Sequence, residues 1–487
     1  MNLQQLAIKG WTRVGTRFLP FADAASTDLP LPRLLRLSLF QVSVGMALAL
    51  LNGTLNRVMI VELAVPAWLV SLMVALPIVF APLRALVGHK SDHHLSALGW
   101  KRVPYIWFGS LMMFGGLAII PFAVLVLTGQ GEGPASVGHA GAALGFLLLG
   151  AGVHTTQTAG LALATDLAPA DTRPRVVALL YVSLLLGMVA SSLAFSWLLA
   201  DFSGTRLVQV VQGAAVLAML LNAVALWKQE PRRPRGAAAA DHVSAPSFRQ
   251  AWVAFIRLPR ARRLMWAVGL GTAAFSMQDI LLEPYGGQIL GLAVGSTSAL
   301  TALTAWGALA AFALAARKLQ QGADPVRLAA HGALIGLAAF AAVIFANPLG
   351  MPLVFYTGAV LIGLGGGLFA VATLTEAMGL DVSAGAAAGL GHGIALGAFG
   401  AVQATAMGLS VAVGGGLRDV VSALAASGSL GGALNSPVTG YGFVYNLEIV
   451  LLFATLIALG PLVRRSRGAA VAGHAAQPKF GLAEFPG

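Results

Sequence analysis

The chain has 487 residues, of which 57% are hydrophobic and only 10% charged, whereas an ordinary soluble domain carries about 25% charged residues. Thirty Lys and Arg with eighteen Asp and Glu cannot cover the surface of a soluble protein of this length, so most of the surface faces lipid. Cysteine is absent, which excludes disulfides and thiolate metal sites, and residues 1–15 lack the apolar core and cleavage site of a signal peptide.

A spanning helix needs about 20 mostly apolar residues, and windows of that size mark twelve segments. The first six are Arg36–Ile60, Trp68–Val87, Val103–Leu127, Gly141–Leu163, Val176–Ala200 and Leu207–Trp227. A polar linker, 228–263, opens with Lys228-Gln-Glu-Pro-Arg-Arg-Pro-Arg235 and leads to the second six. These are Leu264–Pro284, Ser296–Ala316, Leu328–Ala346, Pro352–Ala372, Ala387–Val413 and Phe443–Val463. The expected organisation is an N-terminal segment 1–35, a six-helix half 36–227, the linker, a second half 264–463 and a tail 464–487. With both termini in the cytoplasm, 27 of the 30 Lys and Arg fall on the inside, leaving Arg57, Arg206 and Arg418 outside. That bias follows the positive-inside rule. The net charge of +12 therefore orients the chain in a membrane and does not indicate nucleic-acid binding.

Two six-helix halves joined by a long cytoplasmic linker resemble the major facilitator superfamily, in which the site lies between the halves. The loop after the second span supports the resemblance. Gly88-His-Lys-Ser-Asp92 and Gly99-Trp-Lys101-Arg102 are similar to that superfamily's glycine–aspartate–basic loop signature, with His93 in place of the usual Arg. A solvated loop that serves only to orient the chain is the other reading of these residues.

Ionisable groups inside spans are costly and so are functional candidates. The first span ends Asn56-Arg57 with Glu62 five residues on, and its counterpart, the seventh, ends Gln278-Asp279 with Glu283 four residues on. The opposite signs predict an ion pair between the halves, from Arg57 to Asp279 or Glu283. The alternative is that Arg57 pairs with Glu62 on its own helix. His154, in the fourth span, is a candidate ligand for a metal such as chlorin magnesium, or an interhelical hydrogen-bonding group. In the eleventh span Gly385, Gly389, Gly393 and Gly397 recur every fourth residue, with His392 among them. One reading is a close helix–helix contact, and the other is a flat wall for a planar macrocycle with His392 at its edge. No other metal site stands out. Asp166 and Glu376 sit at inner span ends, where solvation explains them, and Glu448 lies inside the last span. The sequon Asn52-Gly-Thr54 lies within a span, Gly363–Gly367 follows no strand, and no nucleophile–base pair points to an enzyme.

Several strings together resemble one family. They are Phe18–Ala24, Gly53–Leu63, Gly99–Trp107, Thr165–Pro169, Arg173–Leu179 and Phe275–Gly287, the last reading FSMQDILLEPYGG. The resemblance is to the PucC/LhaA type of light-harvesting assembly factor, a bacteriochlorophyll-delivery branch of the major facilitator superfamily. It implies a non-enzymatic role in the photosynthetic inner membrane of a purple bacterium, with bacteriochlorophyll a as cargo. The implied partners are the light-harvesting α and β polypeptides, bacteriochlorophyll synthase and membrane lipid. It carries over no list of pigment-binding residues.

Overall fold

The protein is described here by a computed structural model, which covers residues 29–79, 96, 100–127, 129, 133–169, 172–231, 258–388 and 394–472. All regular structure in these residues is helical. In chain order the helices are α1 (Leu31–Glu62), α2 (Ala67–Val79), α3 (Val103–Leu127), α4 (Ala135–Leu167), α5 (Arg173–Leu198) and α6 (Gly204–Leu226). Then follow α7 (Pro259–Gln288), α8 (Val294–Gln320), α9 (Pro325–Leu349), α10 (Pro352–Ala388), α11 (Ile394–Ala426) and α12 (Val438–Ala472). Eleven of them are long and apolar enough to cross a membrane. The remaining one, α2, is helical over its thirteen described residues; the rest of its expected span lies outside the described residues. This is a multi-pass membrane protein.

Most helices run several residues past the apolar windows, because only their central part must cross hydrocarbon. The largest departure is at the tenth and eleventh. A window from Ala387 to Val413 was expected, but α10 continues to Ala388 and α11 occupies Ile394–Ala426. Hydropathy ends a window at a charge, and α11 continues through Arg418 and Asp419 because they pair with each other at 2.7 Å. Gly385 belongs to α10 and Gly397 to α11. Gly389, His392 and Gly393 lie outside the described residues.

The packing of α1–α6 repeats in α7–α12. Helix α1 packs against α5 and α6, α3 against α4 and α6, and α2 against α4; shifting each number by six gives α7 against α11 and α12, α9 against α10 and α12, and α8 against α10. Glycines set the closest pairs in both halves. A methyl group added at Gly116 would come 2.6 Å from the Gly145 carbonyl on α4, and one at Gly332 would come 2.7 Å from the Gly365 carbonyl on α10. Such backbone approach is how helices associate where lipid removes the hydrophobic driving force. A polar chain also ties α1, α6 and α3 together. Ser43 donates to Asn222 Oδ1 at 2.6 Å, and Asn222 Nδ2 donates to Ser110 at 2.8 Å.

Four helix pairs join the halves among the described residues: α2 with α11, α5 with α8, α1 with α7 and α1 with α8. All four lie toward the end where α1 finishes, here called the outer end; the opposite end, where α1, α3 and α7 begin, is the basic end. Trp68 N–H donates to Asp419 Oδ2 at 2.8 Å, and a methyl at Gly295 would come 2.5 Å from the Ser196 carbonyl. Exposed tryptophans mark both interfaces, Trp68 and Trp197 at the outer end and Trp107, Trp227 and Trp266 at the basic end, as in the aromatic belts of membrane proteins. The halves are closed against each other at the outer end.

Candidate functional site at the crossing of α1 and α7

Both counterpart helices lose regular geometry where they meet. Helix α1 widens into π turns over Leu50–Thr54 and Val58–Glu62, around Asn52 and Gly53, which are weak helix formers. Such π turns are frequent at functional sites. Helix α7 is regular to Ser276, tightens to a 3-10 turn over Met277–Ile280 and restarts at Leu282. Pro284 explains the break, since it has no N–H for the preceding turn and its ring would crowd the carbonyl four residues back.

The two irregular ends run side by side and interlock. Gly53 of α1 leaves the space into which the Glu283 carboxylate and the Thr301 hydroxyl project, and a side chain there would collide with both. One turn further, the roles exchange. Gly287 of α7 leaves the space for the Arg57 guanidinium, and an added methyl would lie 2.5 Å from Nε and 2.6 Å from Cζ. Thr54 and Ser298 meet hydroxyl to hydroxyl at 3.1 Å between these contacts.

Arg57 is buried, its side chain 4% exposed, and its ion partner is Glu62 at 2.8 Å. Its hydrogen bond across the halves is to the Leu292 carbonyl, to which Nη2 donates at 3.2 Å. The expected pair with Asp279 or Glu283 is thus replaced by the pairing along α1. The physical reason is reach: the π turn carries Glu62 back over Arg57, while Glu283 is held by Thr301 Oγ1, which donates at 2.7 Å. Asp279 is half-buried and accepts from Gln278 Nε2 at 2.6 Å. Glu448 of α12 is wholly buried near Gln278 and Asp279, and neither of its carboxylate oxygens has a hydrogen-bond partner among the described residues. Asn56 is wholly buried, and its amide has no hydrogen-bond partner among the described residues.

A second polar cluster seals the crossing on its outer side. Tyr441 donates to Gln288 Oε1 at 2.6 Å, the Arg418 guanidinium sits 4.5 Å from the Tyr441 ring centre, and Gln288 Nε2 reaches the Ile60 carbonyl at 3.4 Å. Gln288, Asp419 and Tyr441 were not singled out from sequence, and Arg418 was read only as an outside charge. The readable signal for the crossing itself was a glycine one turn before Arg57 and one turn after Glu283.

The remaining candidates are not brought to this place. His154 is half-buried on α4, two residues beyond Gly152, whose face packs on α3. Gly88 and Asp92 lie outside the described residues. Lys101 and Arg102 immediately precede α3 at the basic end, where Arg102 pairs with Asp166 at 3.0 Å. The backbone N–H groups of Lys101, Arg102 and Val103 donate to the Glu230 carboxylate at 2.7–3.1 Å. Asp166 and Glu376 are therefore ion-paired, Glu376 with Arg260, where solvation alone was expected.

Comparison with known proteins matches this architecture to named relatives. The PUCC protein family profile matches residues 54–467. The chain is 55% identical over 470 residues to a Rhodobacter capsulatus protein described as uncharacterised in the puhA–bchM intergenic region, covering 96% of this chain and 97% of that one. It is 54% identical over 424 residues to Protein PucC of Rhodovulum sulfidophilum, covering 86% of this chain and 92% of that one. Among solved structures, an inward-facing bacterial homologue of the human lysosomal transporter Spinster superposes with a TM-score of 0.62 at 15% identity, covering 88% and 95%. That likeness concerns the fold, which is of the major facilitator type. With the profile matched across almost the whole helical body and relatives above half identity, the chain belongs to the PUCC protein family.

Proposed function

We propose that this chain is a non-enzymatic assembly factor for bacterial light-harvesting complexes, handling bacteriochlorophyll a and delivering it to the antenna α and β polypeptides within the membrane. The observation that carries this reading is the family match across residues 54–467. The fold suits the role. Pigment and client share the membrane, so a two-half body closed at one end needs no ion gradient to hold an apolar macrocycle. His154 and His392 are the candidate magnesium ligands, and bacteriochlorophyll synthase is the expected supplier of pigment.

The test is an absorption spectrum of gently solubilised full-length protein from its pigmented host, beside His154→Phe and His392→Phe. Near-infrared bands in proportion to protein, lost in one variant, support delivery and name the ligand. A colourless preparation that retains antenna polypeptides rejects pigment handling in favour of a pigment-free scaffold.

A second reading, alternating-access transport of a small solute, is favoured by the broken α7, which gathers Asp279, Glu283 and Glu448 within the membrane. Discontinuous helices commonly form transporter sites. Uptake into vesicles by the purified chain distinguishes it.

A further inference from the structure

The basic end holds a groove of about 710 Å³ that the crossing of α1 and α7 does not use. Its walls come from three places: the start of α1, Trp100 three residues before α3, and the four residues that follow Trp227 at the end of α6. Arg33, Arg36, Trp100, Lys228 and Glu230 line it. We propose that this groove binds the phosphate headgroup of an anionic phospholipid.

The walls are fixed from within. Gln229 is fully buried; Arg33 Nε donates to its Oε1 at 3.1 Å, and its Nε2 donates back to the Arg33 carbonyl at 3.1 Å. The Glu230 carboxylate, the one acidic group in the lining, is committed to the three N–H groups at the start of α3. Its charge is thereby spent on a helix N-terminus. Two cations remain uncommitted. Arg36 Nε is buried with no hydrogen-bond partner among the described residues. Lys228 is exposed, and its backbone is forced to φ +53. That left-handed conformation is unfavourable for a lysine and persists because Gln229 and Glu230 on one side and α6 on the other pin the chain.

One half-buried and one exposed cation around an open groove call for an anion with several acceptor oxygens. The level of the groove selects the source. Trp227 is 65% exposed and immediately precedes Lys228, and exposed tryptophans sit at headgroup depth. Basic pockets between spans at that depth take anionic headgroups.

The experiment is thermal unfolding of the full-length protein in neutral detergent, titrated separately with phosphatidylglycerol, phosphatidylcholine and inorganic phosphate. Phosphatidylglycerol is expected to stabilise the protein saturably, with phosphatidylcholine and inorganic phosphate ineffective at the same concentration. Arg36→Gln and Lys228→Gln should each raise the half-saturating lipid concentration about fivefold, Arg36→Lys should raise it less, and Arg206→Gln at the other end should leave it unchanged. Equal stabilisation by both lipids, or an unaltered phosphatidylglycerol response in R36Q/K228Q, would overturn the proposal. A response to inorganic phosphate alone would overturn the lipid assignment in favour of a free anion. Lys228 is exposed, so K228Q keeps the test sound if the Arg36 variants fold poorly.

Discussion

Set side by side, the outer ends of α1 and α7 carry the same parts in opposite order. On α1 glycine comes first and the charge follows, Gly53 then Arg57; on α7 the charge comes first, Glu283 then Gly287. Because the helices run in the same direction, each glycine falls opposite the other helix's charged side chain. The two charges are nonetheless satisfied differently. Arg57 has an ion partner on its own helix, Glu62, whereas Glu283 is held within its own half by the Thr301 hydroxyl. The joint between the halves is therefore made by shape and by hydrogen bonds through Leu292, Thr54 and Ser298, and an ion pair across it is not what holds it.

The largest effect should come from filling the glycine spaces. Gly53→Val and Gly287→Val each push a bulky side chain into an anchored one, an overpacking worth about 1–3 kcal/mol. Both should lower the unfolding temperature and the yield of folded protein. Gly213→Ala, where nothing lies within 4 Å, should change neither. A smaller effect separates the two ways of satisfying Arg57. Glu62→Gln leaves a buried guanidinium short of its counter-ion, and the half-open position of Glu62 discounts the loss to about 1–2 kcal/mol. In charge exchange, R57E/E62R should recover stability lost in R57E, while R57E/D279R should not; the reverse ranking would restore the ionic joint.

Two further substitutions leave the crossing intact and set the scale of single hydrogen-bonded groups. Glu230→Gln weakens the carboxylate cap on α3, with an expected loss of about 1 kcal/mol. Ser43→Ala removes one link of the α1–α6–α3 chain and should cost about 0.5–1.5 kcal/mol. Chemical denaturation of these two variants beside Glu62→Gln and the unsubstituted protein in one detergent checks the order.

Much of this architecture was legible in the sequence because a membrane imposes hydropathy and charge rules on every span. The helical segments, their repeated packing by six and the placement of the Asn56–Arg57 and Gln278–Asp279 strings within spans follow from those rules. What hydropathy does not carry is contact. Whether Arg57 turned to Glu62 or to α7 depended on π turns whose only local signal is Asn52-Gly53. The four-residue glycine spacing in 385–397 was legible as a pattern, but its middle members, Gly389 and Gly393, lie outside the described residues, and the close glycine packing that the structure places is at α3–α4 and α9–α10. Glu230 was read as linker because its role, capping α3, is fixed by a neighbour 127 residues away in sequence. Polar residues near span ends are ambiguous for the same reason: solvation and pairing leave the same sequence signature.

The most direct test of the interlocked outer end uses the absence of cysteine. In T54C/S298C the only two thiols replace hydroxyls that lie 3.1 Å apart across the halves, close enough for a disulfide after small side-chain rotation. With a protease site placed in the linker 232–257, cleavage under oxidising conditions in native membranes reads the bond as a full-length band that separates into halves on reduction. The account predicts that cross-linked band for T54C/S298C and none for T54C alone. Halves that separate without reductant, in membranes where the protein is folded, would contradict closure of the outer end through α1 and α7.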